Sequence, residues 1–389
     1  MYLLSVVLAA QLSAVLAAPW CEDGDGRKLW NASGFKSLVT FGDSLTDGGR
    51  AEAMILNEGQ PLEPGTVIPH SNNTPNGGRS WTSYVTQYVA ESGTGSLELY
   101  NYAISGAVCS SNIVNIQFPG LDFTMPGVLD FEIPTFEADI KATIPGTNDP
   151  FFDPPLDRDS AVYSIWIGHN DLGNNGFLEA KQTPGHTVTD YINCVYESLD
   201  ALYKLGGRFF VIGSLLPLEL TPLYANETLN GLESPDLWPE KSELDSTVVA
   251  NNILSLTNTV NTVFKYQTPY ELKIANRYPG AHFAVFDGNS VIRDIYQNPD
   301  DFFNGTAPPN IQVPAAECTF DDFGMTVCEP TGDAIGNLDG FMWFDNVHAT
   351  EQTHRVLARE FVKVLDGEST YTQYYKSPSR RSYWGLLAC

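Results

Sequence analysis

The stretch Ser37-Leu38-Val39-Thr40-Phe41-Gly42-Asp43-Ser44-Leu45 is the part of this chain on which the fold turns. Ser37 to Thr40 is a short apolar run of strand character. It delivers Ser44 towards Thr46-Asp47-Gly48-Gly49, residues suited to a turn. A strand that ends on a serine in a turn is a candidate mount for a nucleophile. Taken alone, Gly42-Asp43-Ser44 reads as a plain turn. A serine hydroxyl is a poor nucleophile until a base takes its proton. The rest of the chain therefore has to supply a base, a group that orients it, and donors for an oxyanion.

Outward from that stretch the pattern repeats. A Gly/Pro/Asn-rich loop, Leu56 to Arg79, precedes a helix capped by Ser80, with apolar Trp81, Tyr84, Val85, Tyr88 and Val89 at helical spacing. Leu97 to Ile104 predicts a second strand running into Ser105-Gly106-Ala107. Ile113 to Phe136 is apolar but broken by Pro119, Pro126 and Pro134. It cannot be one long helix, and is expected as an irregular flap that either is structural or lines an acyl or leaving-group pocket. Ala161 to Ile167 is a third strand ending in Gly168-His169-Asn170-Asp171. Arg208 to Gly213 and His282 to Phe286 are further strands, each preceded by a long helix, with apolar residues from Val188 to Leu202 and from Val249 to Val263. Asp345-Asn346-Val347-His348 leads into a last helix capped by Thr350. Strands alternating with helices predict an α/β fold: a parallel sheet covered by helices on both faces. Without repeats or linkers, residues 18–389 read as one domain, with a core of about 37–366 and a polar C-terminal tail, 367–389.

Hydrophobic residues make up 43% of the 389, enough for a substantial core. Formal charge is -26. So acidic a chain repels phosphate backbones and anionic membranes, which excludes nucleic acid as an expected partner. Leu3 to Leu16 is an apolar run followed by Ala17 and Ala18, the pattern of a secretory signal peptide over residues 1–17. It is too short for a comfortable span, and no later run is longer, so stable membrane insertion is not expected. Sequons at Asn31, Asn72, Asn226 and Asn304 fit export. Cys318 and Cys328 bracket a polar segment and are expected to pair. Cys109 and Cys194 fit either buried thiols or a bridge, and Cys21 and Cys389 have no assignable partner. Neither a Cys-x-x-Cys nor a His-x-x-x-His spacing points to a metal, and no cofactor is expected.

Ligands of open α/β sheets bind at the carboxyl ends of the strands. Ser44, Gly106 and Asn170 fall at such ends, and Asp345 and His348 just ahead of the last helix. His348 can take the serine proton, and Asp345 can hold the other ring nitrogen. The Ser44 and Gly106 N–H groups and the Asn170 amide suit an oxyanion. Other histidines, including His354, read as structural, and His169 as a packing or hydrogen-bonding residue beside the site.

Gly42-Asp43-Ser44-Leu45, the Gly106 turn, Gly168-x-Asn170-Asp171 and Asp345-x-x-His348 together resemble the four blocks of the SGNH/GDSL hydrolase superfamily, in the family's order. Ile165-Trp166-Ile167-Gly168, Leu202 to Phe210 and Asn298 to Phe303 are similar to its secreted fungal branch, which includes carbohydrate esterases that remove acetyl groups. The resemblance implies a three-layer α/β/α sandwich with five central parallel strands, flavodoxin-like, and ester hydrolysis without a cofactor. It implies Ser44 as nucleophile, Gly106 and Asn170 as oxyanion donors, and Asp345 and His348 as the remainder of the triad. The substrate is then a small-molecule or oligosaccharide ester, first a short-chain acetyl ester. The alternatives are a lipase or phospholipase acting on longer chains, and a noncatalytic carbohydrate-binding protein on the same scaffold.

Overall fold

The computed structural model describes residues 29–93, 95–117, 123–235, 238–305, 308–320 and 326–379. The expected leader at 1–17, Cys21 and Cys389 lie outside these. In chain order the elements are β1 (Ser37–Gly42), α1 (Arg50–Leu56), α2 (Trp81–Glu91), β2 (Glu98–Asn101), α3 (Ile133–Asp139), β3 (Ala161–Trp166), α4 (His169–Leu172), α5 (Val188–Lys204) and β4 (Phe209–Gly213). They continue with α6 (Ser246–Lys273), β5 (His282–Phe286), α7 (Gly288–Gln297), β6 (Ala316–Phe320), β7 (Thr326–Pro330), α8 (Glu351–Leu365) and β8 (Thr372–Lys376).

Every residue of β1, β3 and β4 is buried, as expected of parallel strands covered on both faces. Side chains alternate across a strand, and the alternation divides the interior in two. Val39 and Phe41 of β1, Tyr163 and Ile165 of β3, Phe210 and Ile212 of β4 and Phe283 of β5 join a core with α1, α3, α5 and α6. Leu38, Val162, Trp166, Phe209, Val211, Ala284 and Phe286 face the other way, onto α2, α7 and α8. Burying each such side chain contributes roughly 1.5–3 kcal/mol. The result is a three-layer α/β/α sandwich.

The large sheet runs β2-β1-β3-β4-β5-β8, and β6 pairs with β7 in a separate hairpin. The first five strands are parallel. Because β2 lies on one side of β1 and β3 on the other, the winding reverses at β1, and the strand ends there open a crevice. β8 is antiparallel to β5, with His282 opposite Lys376 and Phe286 opposite Thr372. The C-terminal residues are therefore not simply a polar tail: 372–376 close the sheet edge. Tyr374 packs towards one core and Tyr375 towards the other.

The expected flap also needs correction. Residues 128–139 wind into a helical turn, Val128–Glu132, and then α3. Val128, Ile133 and Phe136 are wholly or almost wholly buried in the core. Cys318 bonds Cys328 across the β6–β7 hairpin, as expected, and Cys109 bonds Cys194 of α5, which decides between the two open readings. Among the described residues no helix is long and apolar enough to cross a membrane.

Candidate active site

The nucleophile turn begins at Gly42, whose φ of +151° lies where side chains are strained. A Cβ there would stand 2.2 Å from the Trp166 carbonyl oxygen on β3. Gly42 N donates to buried Glu132 Oε2 at 3.0 Å. Beyond it the chain turns at once: Thr46 N and Asp47 N donate to the Asp43 carbonyl, and Leu45 N donates to Asp43 Oδ1. Ser44 is carried on the outside of this turn.

His348 Nε2 lies 2.8 Å from Ser44 Oγ, and His348 Nδ1 lies 2.7 Å from Asp345 Oδ2. A carboxylate can only accept, so Nδ1 carries the proton and Nε2 is left to accept from the serine hydroxyl. The other carboxylate oxygen, Asp345 Oδ1, accepts from Val347 N at 2.8 Å and His348 N at 2.7 Å. Asp345 thus folds the turn as well as orienting the ring, which explains their close spacing. Burial opposes the charged form of His348, but the Asp345 charge and hydrogen bond, with Asp43, outweigh it and raise the imidazole above its ordinary value.

Gly106 follows β2 with φ +84°, in a turn closed by Ala107 N donating to Ile104 O. A Cβ on Gly106 would stand 2.5 Å from Met125 Cε, so the flap's thioether rests on this glycine. The N–H groups of Ser44 and Gly106 donate to no acceptor among the described residues, while those of Leu45, Thr46, Asp47 and Ala107 are all engaged. Asn170 lies in the first turn of α4, and its Nδ2 donates to Ala107 O at 2.8 Å. A primary amide has two N–H donors, so fixing one orients the second. The structure therefore brings Ser44, Asp345 and His348 into one hydrogen-bonded chain, and joins Asn170 to the Gly106 loop.

His169 is, as expected, a hydrogen-bonding residue beside the site, whereas the supporting carboxylates of Asp47 and Asp171 escaped the sequence reading. His169 Nδ1 donates to Asp43 Oδ2 at 2.8 Å, and its Nε2 accepts from Leu216 N at 3.3 Å, so both ring nitrogens are used. Asp47 Oδ2 accepts from Ser105 N and Ser105 Oγ, at 2.8 and 2.7 Å, tying the Ser44 turn to the Gly106 turn. Asp171 accepts from Cys109 N at 3.0 and 3.1 Å. The only sequence signal for these carboxylates is their place beside the glycines of the same blocks. His354 is buried and accepts from Trp81 N on its Nδ1, and burial lowers it to about 3. Among the described residues no three His, Cys, Asp or Glu side chains converge as a metal site.

Residues 38–361 match the family model described as GDSL-like lipase/acylhydrolase. The chain is 35% identical over 342 residues to an acetylesterase of Hypocrea jecorina, covering 88% of this chain and 92% of that protein. It is 23% identical over 362 residues to a GDSL esterase/lipase of Arabidopsis thaliana, covering 85% of this chain and 84% of the relative. Among solved structures, a catalytic mutant of an acetylxylan esterase from Geobacillus stearothermophilus is similar at 13% identity and a TM-score of 0.39, covering 85% of this chain and 94% of that one.

Proposed function

The chain belongs to the GDSL-like lipase/acylhydrolase family, and from that premise we propose a secreted serine esterase that hydrolyses acetyl esters of carbohydrates through an acyl-enzyme on Ser44. The observation that carries the reading is the continuous relay from Ser44 Oγ through His348 to Asp345, at 2.8 and 2.7 Å. His348 takes the serine proton as Ser44 attacks the ester carbonyl, and Asp345 stabilises the imidazolium. Negative charge gathers on the former carbonyl oxygen. Ser44 N, Gly106 N and the second Asn170 N–H stabilise it there, because they are unspent before substrate arrives. His348 then protonates the departing alcohol. A water, deprotonated by the same ring, attacks the acyl-enzyme and releases the acid.

The acetyl assignment is supported by the acetylesterase of Hypocrea jecorina, which the chain matches over most of both lengths. Export is supported by the leader pattern and sequons of the sequence and by two disulfides, which persist in oxidising compartments. The decisive measurement is a series of p-nitrophenyl esters from acetyl to octanoyl, with acetylated xylo-oligosaccharides beside them. Acetyl is expected to be the best substrate; preference for octanoyl would replace this reading with a lipase. Ser44→Ala should lose turnover by on the order of a million-fold. A Ser44→Ala protein that still turns over would remove the nucleophile assignment altogether.

A further inference from the structure

The five residues Ser105 to Cys109 carry Gly106, yet no part of them belongs to a strand or helix. Oxyanion donors work by standing in place before charge develops, so something must hold this loop. Backbone hydrogen bonds tie its second half to residues 126–129, from Val108 N to Pro126 O, Val128 N to Val108 O and Leu129 N to Cys109 O, and side chains from three other segments add to them. Asp47 Oδ2 holds Ser105 through N at 2.8 Å and Oγ at 2.7 Å. Asn170 Nδ2 holds the Ala107 carbonyl at 2.8 Å. The far end is fixed three times at Cys109: its Sγ is bonded to Cys194 of α5, its carbonyl accepts from Leu129 N, and its N–H is shared by both oxygens of Asp171 at 3.0 and 3.1 Å. Cys109 and Asp171 are both wholly buried.

We propose that Asp171 is a positioning residue for the reaction: its carboxyl holds Cys109 N–H and so sets the Gly106 loop, and with it the neighbouring Asn170 amide, at the distance the oxyanion requires. The proposal rests on the reading of Gly106 and Asn170 as oxyanion donors. Asp171 touches neither Ser44 nor His348, and acts through the backbone. Its place directly after Asn170 couples both halves of the oxyanion site, because α4 carries one and grips the other.

The electrostatics give this role a signature. The charged or ionisable groups that face Asp171 are Asp43 from the Ser44 turn and Asp130 from the turn before α3, with the Tyr191 phenol from α5. His169 lies beyond Asp43, bonded to it. Burial first, and then these carboxylates against the opposing Cys109 hydrogen bond, push the Asp171 carboxyl up to about 8. Its carboxyl therefore holds its proton to far higher pH than an ordinary aspartate. Above that value it becomes an anion beside a site that must stabilise another anion, so turnover falls on the alkaline side.

The test compares Asp171→Ala and Asp171→Asn with wild type on p-nitrophenyl acetate from pH 5 to 10, with thermal unfolding and thiol titration recorded alongside. Asn keeps an oxygen for Cys109 N–H and cannot ionise. Asp171→Ala should lower kcat about 10- to 100-fold with KM within about threefold. Asp171→Asn should stay within about threefold at pH 7 and lack the alkaline decline. A folded Asp171→Ala with wild-type kcat overturns the proposal, as does an Asp171→Asn that keeps the wild-type alkaline limb. Should the alanine variant not fold, the asparagine pH profile decides alone. Ser44→Ala is run in parallel. If it remains active, the site reading itself fails; if it is dead while Asp171→Ala is unimpaired, only the positioning role fails.

Discussion

With His348 as the proposed base, its ionisation should set the acid limit of the reaction, because only its neutral form can take the Ser44 proton. Burial pulls its pKa down, and the Asp345 and Asp43 carboxylates pull it up by more. The acid limb of kcat/KM should therefore lie above about 6.5, the value of an unperturbed imidazole, with activity lost as pH falls through the raised value. Asp345→Asn removes the charge that raises it. The limb should then move to lower pH while kcat falls roughly ten-thousand-fold, since the amide also turns the ring to the wrong tautomer. An unmoved limb in that variant would assign the ionisation to another group. Asn170 has a different role and a different signature. Asn170→Ala should lower kcat roughly a hundred- to thousand-fold and leave the limb in place. A turnover within a few-fold of wild type would take Asn170 out of the oxyanion site.

The Cys109–Cys194 bond closes a separation of 85 residues and Cys318–Cys328 one of 10. Loop-closure entropy grows with length, so loss of the first should cost up to about 4–5 kcal/mol and loss of the second about 3. Paired alanine substitutions followed by chemical denaturation measure both, and equal losses would contradict the entropic account. β8 is held differently, by its ladder to β5 and by half-buried Tyr374 and Tyr375, one packed against each core. Deleting the chain from 371 onward bares the β5 edge and should lower Tm and promote aggregation; an unchanged Tm would show that the strand is dispensable. This element also marks where sequence reading stopped. β1, β3, β4 and β5 were legible because each is a compact apolar run followed by a turn. β8 is Thr-Gln-Tyr-Tyr-Lys, and at an edge only the tyrosines need burial, so its composition looks like a tail. The helical end of the flap was hidden for another reason: Pro134 sits in the first turn of α3, where its missing N–H costs nothing.

Distance in the chain separates what was legible at the site from what was not. Ser44, Gly106 and Asn170 are signalled by local residue type after a strand, and Asp345 and His348 by their close spacing ahead of the last helix. The grips of Asp47 on Ser105 and of Asp171 on Cys109 join segments far apart through backbone atoms, which leave no pattern in side-chain order. Charge is the property that every part of the chain shares and that composition states outright. The formal net charge is -26; Asp345 is hydrogen-bonded to His348, and the Asp43 charge also reaches its ring. Such a field repels anionic substrates over a Debye length, about 30 Å at 0.01 M salt and about 3 Å at 1 M. Phenyl acetate and the 4-acetoxybenzoate anion present the same acetyl group, one neutral and one negative. Their leaving groups differ in reactivity, but that difference does not depend on salt. The ratio of kcat/KM for the anion to that for the neutral ester should therefore rise several-fold between about 0.01 and 0.5 M sodium chloride, with the neutral ester nearly constant. A ratio flat in salt would mean that the acidic surface does not reach the site and acts on solubility alone.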